Sequence, residues 1–424
     1  MKKILLLSLF ILLALNAVNA QLNTAGYETW KPLYNSMTTW EDGAFNMNQK
    51  GHPDYGWGVY NSNSHYVYGD SVYLVKLQNG AFKQFFIEVK STANVYSFRH
   101  ADVTGENEVL EQALCSNYGD KLFLYYSIQN QNFVDREPSK SAWDMVLTRF
   151  TDTKINYTVT GFLLNEGSKV SVFHAPDATT ALNSTLADTT TFSKDINAIG
   201  NSWYKLSGMS IVPLDTMVYF VKTPAMDIYK MQVNFFESGS SMGTGKGRVG
   251  VAIQKLAPEV GEIVKDTLVM GNGYANDVFL SMSQGITKES SRSSWDIAFK
   301  TSAMTASIIT NSSMNVGLYT YPYSQGEFID AWESLAAPLK SISPTAIYPN
   351  PVRDMVTFSN NSWKSSTEVK LMVYNTAGQL ILNQDHKINS DGFSTDFGVL
   401  PAGLYQVRMI NNGFVSTGKI LISR

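Results

Sequence analysis

The chain has 424 residues and a formal net charge of −3, without the clustered Lys and Arg that neutralise a phosphate backbone, so nucleic acid is excluded as a partner. Charged side chains make up 16% and aromatic ones 12%, the balance that half-buried strands select. The single cysteine, Cys115, leaves no internal disulfide; it reads as a small buried hydrophobe, and spacing gives it no His or acidic partner as a nucleophile.

From the N-terminus, Lys2 and Lys3 precede an apolar run from Ile4 to Leu15, and Val18-Asn19-Ala20 supplies a small-residue cleavage site. A membrane span needs about 20 apolar residues. Residues 1–20 are therefore predicted to be a signal peptide, with Gln21 starting the mature chain. No Cys follows the cleavage site, and no later segment reads as a transmembrane helix.

Strand-like runs then dominate. Tyr73 to Leu77 and Phe82 to Val89 flank Asn79-Gly80, a hairpin signal, and Val218 to Lys222 with Ile228 to Phe236 repeats the arrangement. A second recurring half-unit is a strand followed by Trp-Asp and another strand. Its copies are Leu122 to Ser127 with Trp143-Asp144-Met145, and Asp277 to Ser281 with Trp295-Asp296-Ile297. These repeats predict an all-β protein with two related units. One unit is complete over 116–258, and the other is split between 21–114 and 267–336. In each Trp-Asp pair the Trp is expected to fill a core, with the Asp accepting backbone N–H bonds at the strand entry.

After Pro338 and Pro344 a separate module covers 345–424. It contains Tyr348-Pro349-Asn350-Pro351, Val373-Tyr374-Asn375 with Gly378, Leu400-Pro401-Ala402-Gly403-Leu404-Tyr405 and Gly418-Lys419. These elements resemble the type A C-terminal sorting domain of the type IX secretion system of Bacteroidota. The resemblance implies an immunoglobulin-like β-sandwich recognised by the outer-membrane translocon. It further implies removal of the domain on export, with release or attachment at the cell surface.

Trp143-Asp144-Met145, Trp295 to Phe299, Val218 to Lys222 and Tyr229 to Val233 resemble the HmuY family of secreted haem-binding proteins. That resemblance implies an all-β body and extracellular capture of haem or another small ligand. Haem-binding members place two histidines in the loops between the half-units. Here the region 150–215 holds His174 alone, with Met209 as the soft side chain available as a partner. The plainer reading of His174 is a polar loop residue near a turn, and that of Met209 a core gap-filler. His65 and His100, at strand ends, are expected to satisfy backbone groups.

Two catalytic signatures fail on context. Gly239-Ser240-Ser241-Met242-Gly243 has the spacing of a nucleophile elbow but lies between strand-like runs, where a strand-to-helix turn is required. Gly245-Lys246 lacks the upstream Gly and following Ser or Thr of a phosphate loop. The expected function is thus a non-enzymatic, exported binding protein, with a structural or adhesive surface protein and a hydrolase of unrecognised site as alternatives.

Overall fold

The computed structural model describes residues 24, 26–208, 210–239, 245–320, 345–360, 363, 368–375, 380–389, 392–411 and 414–424. Residues 1–20 and 240–244 lie outside this set, as does Met209. The body is all-β. Its strands are β1 (Pro32–Leu33), β2 (Gly58–Asn61), β3 (Tyr66–Gly69), β4 (Val72–Lys76), β5 (Phe82–Lys90), β6 (Val95–Asp102), β7 (Val109–Leu114), β8 (Phe123–Ser127) and β9 (Asn132–Val134). There follow β10 (Met145–Asp152), β11 (Tyr157–Leu164), β12 (Lys169–His174), helix α1 (Ala178–Asn183), β13 (Tyr204–Ser207), β14 (Ser210–Pro213), β15 (Met217–Lys222) and β16 (Ile228–Glu237). The remainder are β17 (Arg248–Ala257), β18 (Ile263–Val269), β19 (Asn276–Ser281), β20 (Gly285–Ser291), β21 (Ile297–Lys300), β22 (Ile308–Thr310) and β23 (Gly317–Thr320). The Asn79-Gly80 signal is the β4–β5 turn, where Gly80 has φ 84° and a side chain would be strained.

Four antiparallel sheets stack face to face. In the first, β1, β23, β4 and β5 lie side by side, and β5 continues both through β6 to β7 and through β3 to β2. The second runs β22-β21-β8-β9, the third β11-β10-β19-β20 and the fourth β12-β15-β16-β17-β18. Three cores separate them. Trp57, Phe85, Phe98, Tyr126 and Phe299 fill the first gap, Trp143, Tyr125, Phe279 and Trp295 the second, and Trp203, Tyr219, Met231 and Leu280 the third. The central strands are therefore buried on both faces. That is why Phe123-Leu124-Tyr125-Tyr126 and Ile297-Ala298-Phe299 are unbroken apolar runs without alternation.

The sheets cut across the segments drawn from the sequence. Residues 123–134 and 145–164, adjacent in chain, lie in different sheets: β8 pairs with β21, and β10 pairs with β19. Each Trp-Asp strand thus joins the leading strand of the other half-unit. The Asp side chains show the reason. Asp144 Oδ2 accepts from the Met282 N–H at 2.7 Å, just beyond the end of β19. Asp296 Oδ2 accepts from Ile128 N–H at 2.8 Å, just beyond β8. Asn165 and Asn311 complete the two copies, donating to the carbonyls of Trp143 (2.6 Å) and Trp295 (2.9 Å). Each Asp caps a turn more than a hundred residues away in chain.

Two units with one wiring scheme result. The fourth sheet packs on the third within one continuous stretch, β10 to β20. The first packs on the second, formed by β1 to β9 together with β21 to β23 returning from the far end. Trp57 Nε1 donates to the Ala306 carbonyl at 2.8 Å across this join, and β23 lies between β1 and β4.

The C-terminal module is a sandwich of β24 (Ala346–Tyr348), β25 (Met355–Ser359) and β28 (Gly392–Asp396) against β26 (Glu368–Tyr374), β27 (Leu380–Lys387), β29 (Gly403–Asn411) and β30 (Phe414–Ile422). Phe358, Val373, Val407 and Ile420 pack its core, and Tyr405 OH donates to the Pro401 carbonyl at 2.9 Å.

Cys115 is fully buried beside the first core, and burial pushes its thiol up to about 12. Neither His65 nor His100 serves the backbone role expected of it. His65 Nδ1 meets Tyr60 OH at 2.6 Å, and His100 Nε2 meets Tyr126 OH at 3.0 Å inside the core, because β8 brings a phenol against β6.

Two outcomes are expected. Asp144→Ala and Asp296→Ala should each lower unfolding stability by roughly 1–3 kcal/mol, the cost of orphaning buried N–H donors, as read by urea denaturation. Desolvation, with Lys83 adding to it, lowers folded His100 to about 4 from 6.5, so the unfolded chain binds the proton first. Stability present above pH 6.5 should be lost as pH falls towards 4, by about 3 kcal/mol for that shift. His100→Gln should flatten this part of the pH profile.

Candidate functional site

The alternation of the fourth sheet sets up a groove on its outer face. On β16, Tyr229, Met231 and Val233 pack into the third core, so Lys230, Gln232 and Asn234 face outward. Ala252 and Gln254 of β17 and Ile263 and Lys265 of β18 extend that floor. One wall is α1, with Ala178 and Leu182; its N-cap Asp177 accepts from Thr180 N–H at 2.7 Å. The opposite wall is the β13–β14 hairpin and the residues after it, contributing Lys205, Val212 and Asp215.

The groove has a volume of about 1030 Å³. Clefts for small ligands commonly span roughly 300–1,000 Å³. Lys230 Nζ donates to the carbonyls of Leu182 (2.9 Å) and Ser184 (3.1 Å), pinning the end of α1 to the sheet. Its partial burial lowers its pKa. Lys205 and Lys265 are exposed. Against the three ammonium groups stands one lining carboxylate, Asp215. The side-chain amides of Gln232 and Gln254 donate to the carbonyls of Asp215 (3.3 Å) and Gly261 (3.1 Å). Such a surface offers the exposed Lys205 and Lys265 to an anionic head and Leu182, Val212 and Ile263 to an apolar body.

His174 is the exposed last residue of β12, opposite Met217 in register, and does not line this groove. Met209, the other sequence candidate, lies outside the described residues. The groove was missed at the sequence level because its floor comes from every second residue of three strands, a pattern shared by any solvated sheet face.

A second concentration of charge sits in the layer between the second and third sheets. Arg136 pairs with Asp277 and lies over the rings of Tyr125 and Trp295 at 4.8 and 5.5 Å. Thr148 Oγ1 donates to the same carboxylate at 2.5 Å. Glu137 accepts from Leu122 N–H (2.8 Å), Phe123 N–H (3.2 Å) and Tyr125 OH (3.0 Å), while burial pushes its carboxyl up to about 7. These groups are engaged with one another across the layer. Among the described residues no three His, Cys, Asp or Glu side chains converge as metal ligands, and no helix is long and apolar enough to cross a membrane.

The C-terminal sandwich decides one part of the function. Residues 346–423 match the secretion system C-terminal sorting domain family. The chain thus carries a type IX sorting tail, which directs export to the cell surface or beyond it. No curated protein matches the chain. Among solved structures, a fungal alcohol oxidase of the AA5 family in complex with copper is 10% identical, covering 87% of this chain and all of that one at a TM-score of 0.18. The BSP domain of a biofilm-associated protein is 12% identical, covering 82% of this chain and 61% of that one at a TM-score of 0.16. At those scores neither informs the fold or the site.

Lys230→Met should detach α1 from the sheet while leaving the apolar stem in place. Limited proteolysis is expected to cut within 178–214 several-fold faster than in the parent, with the sheet strands unaffected.

Proposed function

We propose that the body is a non-enzymatic capture protein that takes an anionic small ligand with an apolar portion into the groove of the fourth sheet, outside the cell. The observation carrying this reading is the groove itself: two exposed lysines, Lys205 and Lys265, against one carboxylate, Asp215, on a partly apolar lining, in a chain with a type IX sorting tail. The likeness to secreted haem-binding proteins supports the same class, since haem joins carboxylates to a large apolar ring. The sequence candidates for axial ligation are His174, at the end of β12 and outside the groove lining, and Met209.

Titration of purified protein with haemin and with a panel of acidic oligosaccharides and amphipathic carboxylates tests the proposal. Binding to one class, weakened about tenfold or more by Lys205→Ala with Lys265→Ala, is the expected outcome, since each factor of ten is about 1.4 kcal/mol. A shifted Soret band that His174→Ala abolishes would identify haem with that ligand and place it at the end of β12, overturning the groove assignment. Absence of binding across the panel, or binding indifferent to the two lysines, removes the groove assignment. Turnover of any panel member would overturn the non-enzymatic reading.

A further inference from the structure

Because the two units share a wiring scheme, the outer faces of the first and fourth sheets can be compared position by position. Tyr219 opposite Met231 corresponds to Tyr73 opposite Phe85. The register then slips at the same place in both, between Val233 and Phe235 on β16 and between Ile87 and Val89 on β5. By this alignment Gln232, Asn234, Ala252 and Lys265 of the open groove become Phe86, Glu88, Arg99 and Leu110. The chemistry has changed from lysine and amide to a carboxylate, a guanidinium and apolar groups.

This second face is covered. Glu88 is 2% exposed, and what lies over it is the sorting domain. Tyr374 OH donates to Glu88 Oε2 at 3.4 Å, and Gln406 Nε2 donates to Tyr68 OH at 2.8 Å. Met372 and Tyr374 alternate away from the tail's own core, which takes Leu371 and Val373, yet both are buried.

The charges match across the contact. Arg99 lies 3.0 Å from Glu88 and also pairs with Glu108 at 2.8 Å, so the body's own cation is shared between two carboxylates. Burial by itself would raise the Glu88 carboxyl; the guanidiniums of Arg99 and of Arg408 from the tail outweigh it and hold it below its ordinary value. A buried carboxylate short of positive charge is strongly destabilising. The tail adds the field of Arg408 to that of Arg99, and the Tyr374 hydroxyl as a donor.

We propose that the outer face of the first sheet is a dedicated docking surface for the chain's own sorting domain, so that the tail stays bound to the body after the connecting chain is cut. Severing the peptide and releasing the tail are then separate events, and the surface bearing Glu88, Phe86 and Tyr68 opens only at the second.

The test uses the full chain with a protease site placed within residues 321–344. After cutting, gel filtration at about 10 μM should show body and tail eluting together, which requires roughly micromolar affinity or better. Arg408→Glu reverses the sign of the tail charge that acts on Glu88. Arg408 alternates out of the tail's core, between Val407 and Met409, so the separated variant tail should fold as the parent tail does, read by its far-UV circular dichroism. The variant's cut fragments should elute separately, with affinity at least about tenfold weaker by titration. Tyr374→Phe, which removes only the hydroxyl, should give a smaller loss in the same direction. A parental tail that elutes alone, or an Arg408→Glu tail that stays bound as tightly as the parent, overturns the proposal.

Discussion

Everything in the body rests on two buried carboxylates that bond to backbone far away in chain. Asp144 and Asp296 each take the N–H groups of a turn following a strand from the other half of the protein. A strand pair joined by ladder bonds alone could slip or choose another edge, because backbone bonds are the same at every register. A carboxylate seated on one particular turn removes that freedom. The Trp beside each Asp packs edge-on against the strand its neighbour latches, Trp143 on Phe279 and Trp295 on Tyr125, with ring centroids 5.0 Å apart in both. Capping and packing thus act at the same crossing, twice.

This exchange also makes four layers from two units. Had each Trp-Asp strand paired within its own half-unit, the second and third sheets would each have come from one segment of chain. Crossing them makes the middle sheets joint products of the two half-units, and their outer faces meet in a third apolar layer. Arg136, Asp277 and Glu137 lie in that layer because charges there must be paired or hydrogen-bonded to one another. The same layer accounts for the aromatic richness of the chain: β8 and β21 must satisfy a core on each face.

The two outermost faces have diverged in opposite senses. The fourth sheet keeps lysines and amides on its floor and is walled by α1 and a hairpin into a groove. The first sheet carries Phe86, Glu88 and Arg99 and lies under the sorting domain. A β-sheet face is a neutral support in this respect: alternate side chains can be replaced without touching the core beneath, so related sheets take on unrelated partners.

The hairpins, the two Trp-Asp half-units and the C-terminal module were legible in the residues, because turn chemistry and strand periodicity are local. Asn79-Gly80 forms a turn wherever it stands between two apolar runs, and the module matched at 346–423 is marked by turn sequences close together in chain. Strand partnership was not legible. Leu122 to Ser127 is as good a strand beside Met145 as beside Ile297, and only the reach of Asp296 and Asp144 across the folded body selects between them. His100 was read as a strand-end residue, yet its bond to Tyr126 exists because β8 crosses beneath β6. The groove depends on three strands, a helix and a hairpin meeting, and the cover over Glu88 on a tail nearly three hundred residues away. Local conformation follows from local sequence; choice among equivalent edges and faces is made by contacts that exist only once the chain has folded.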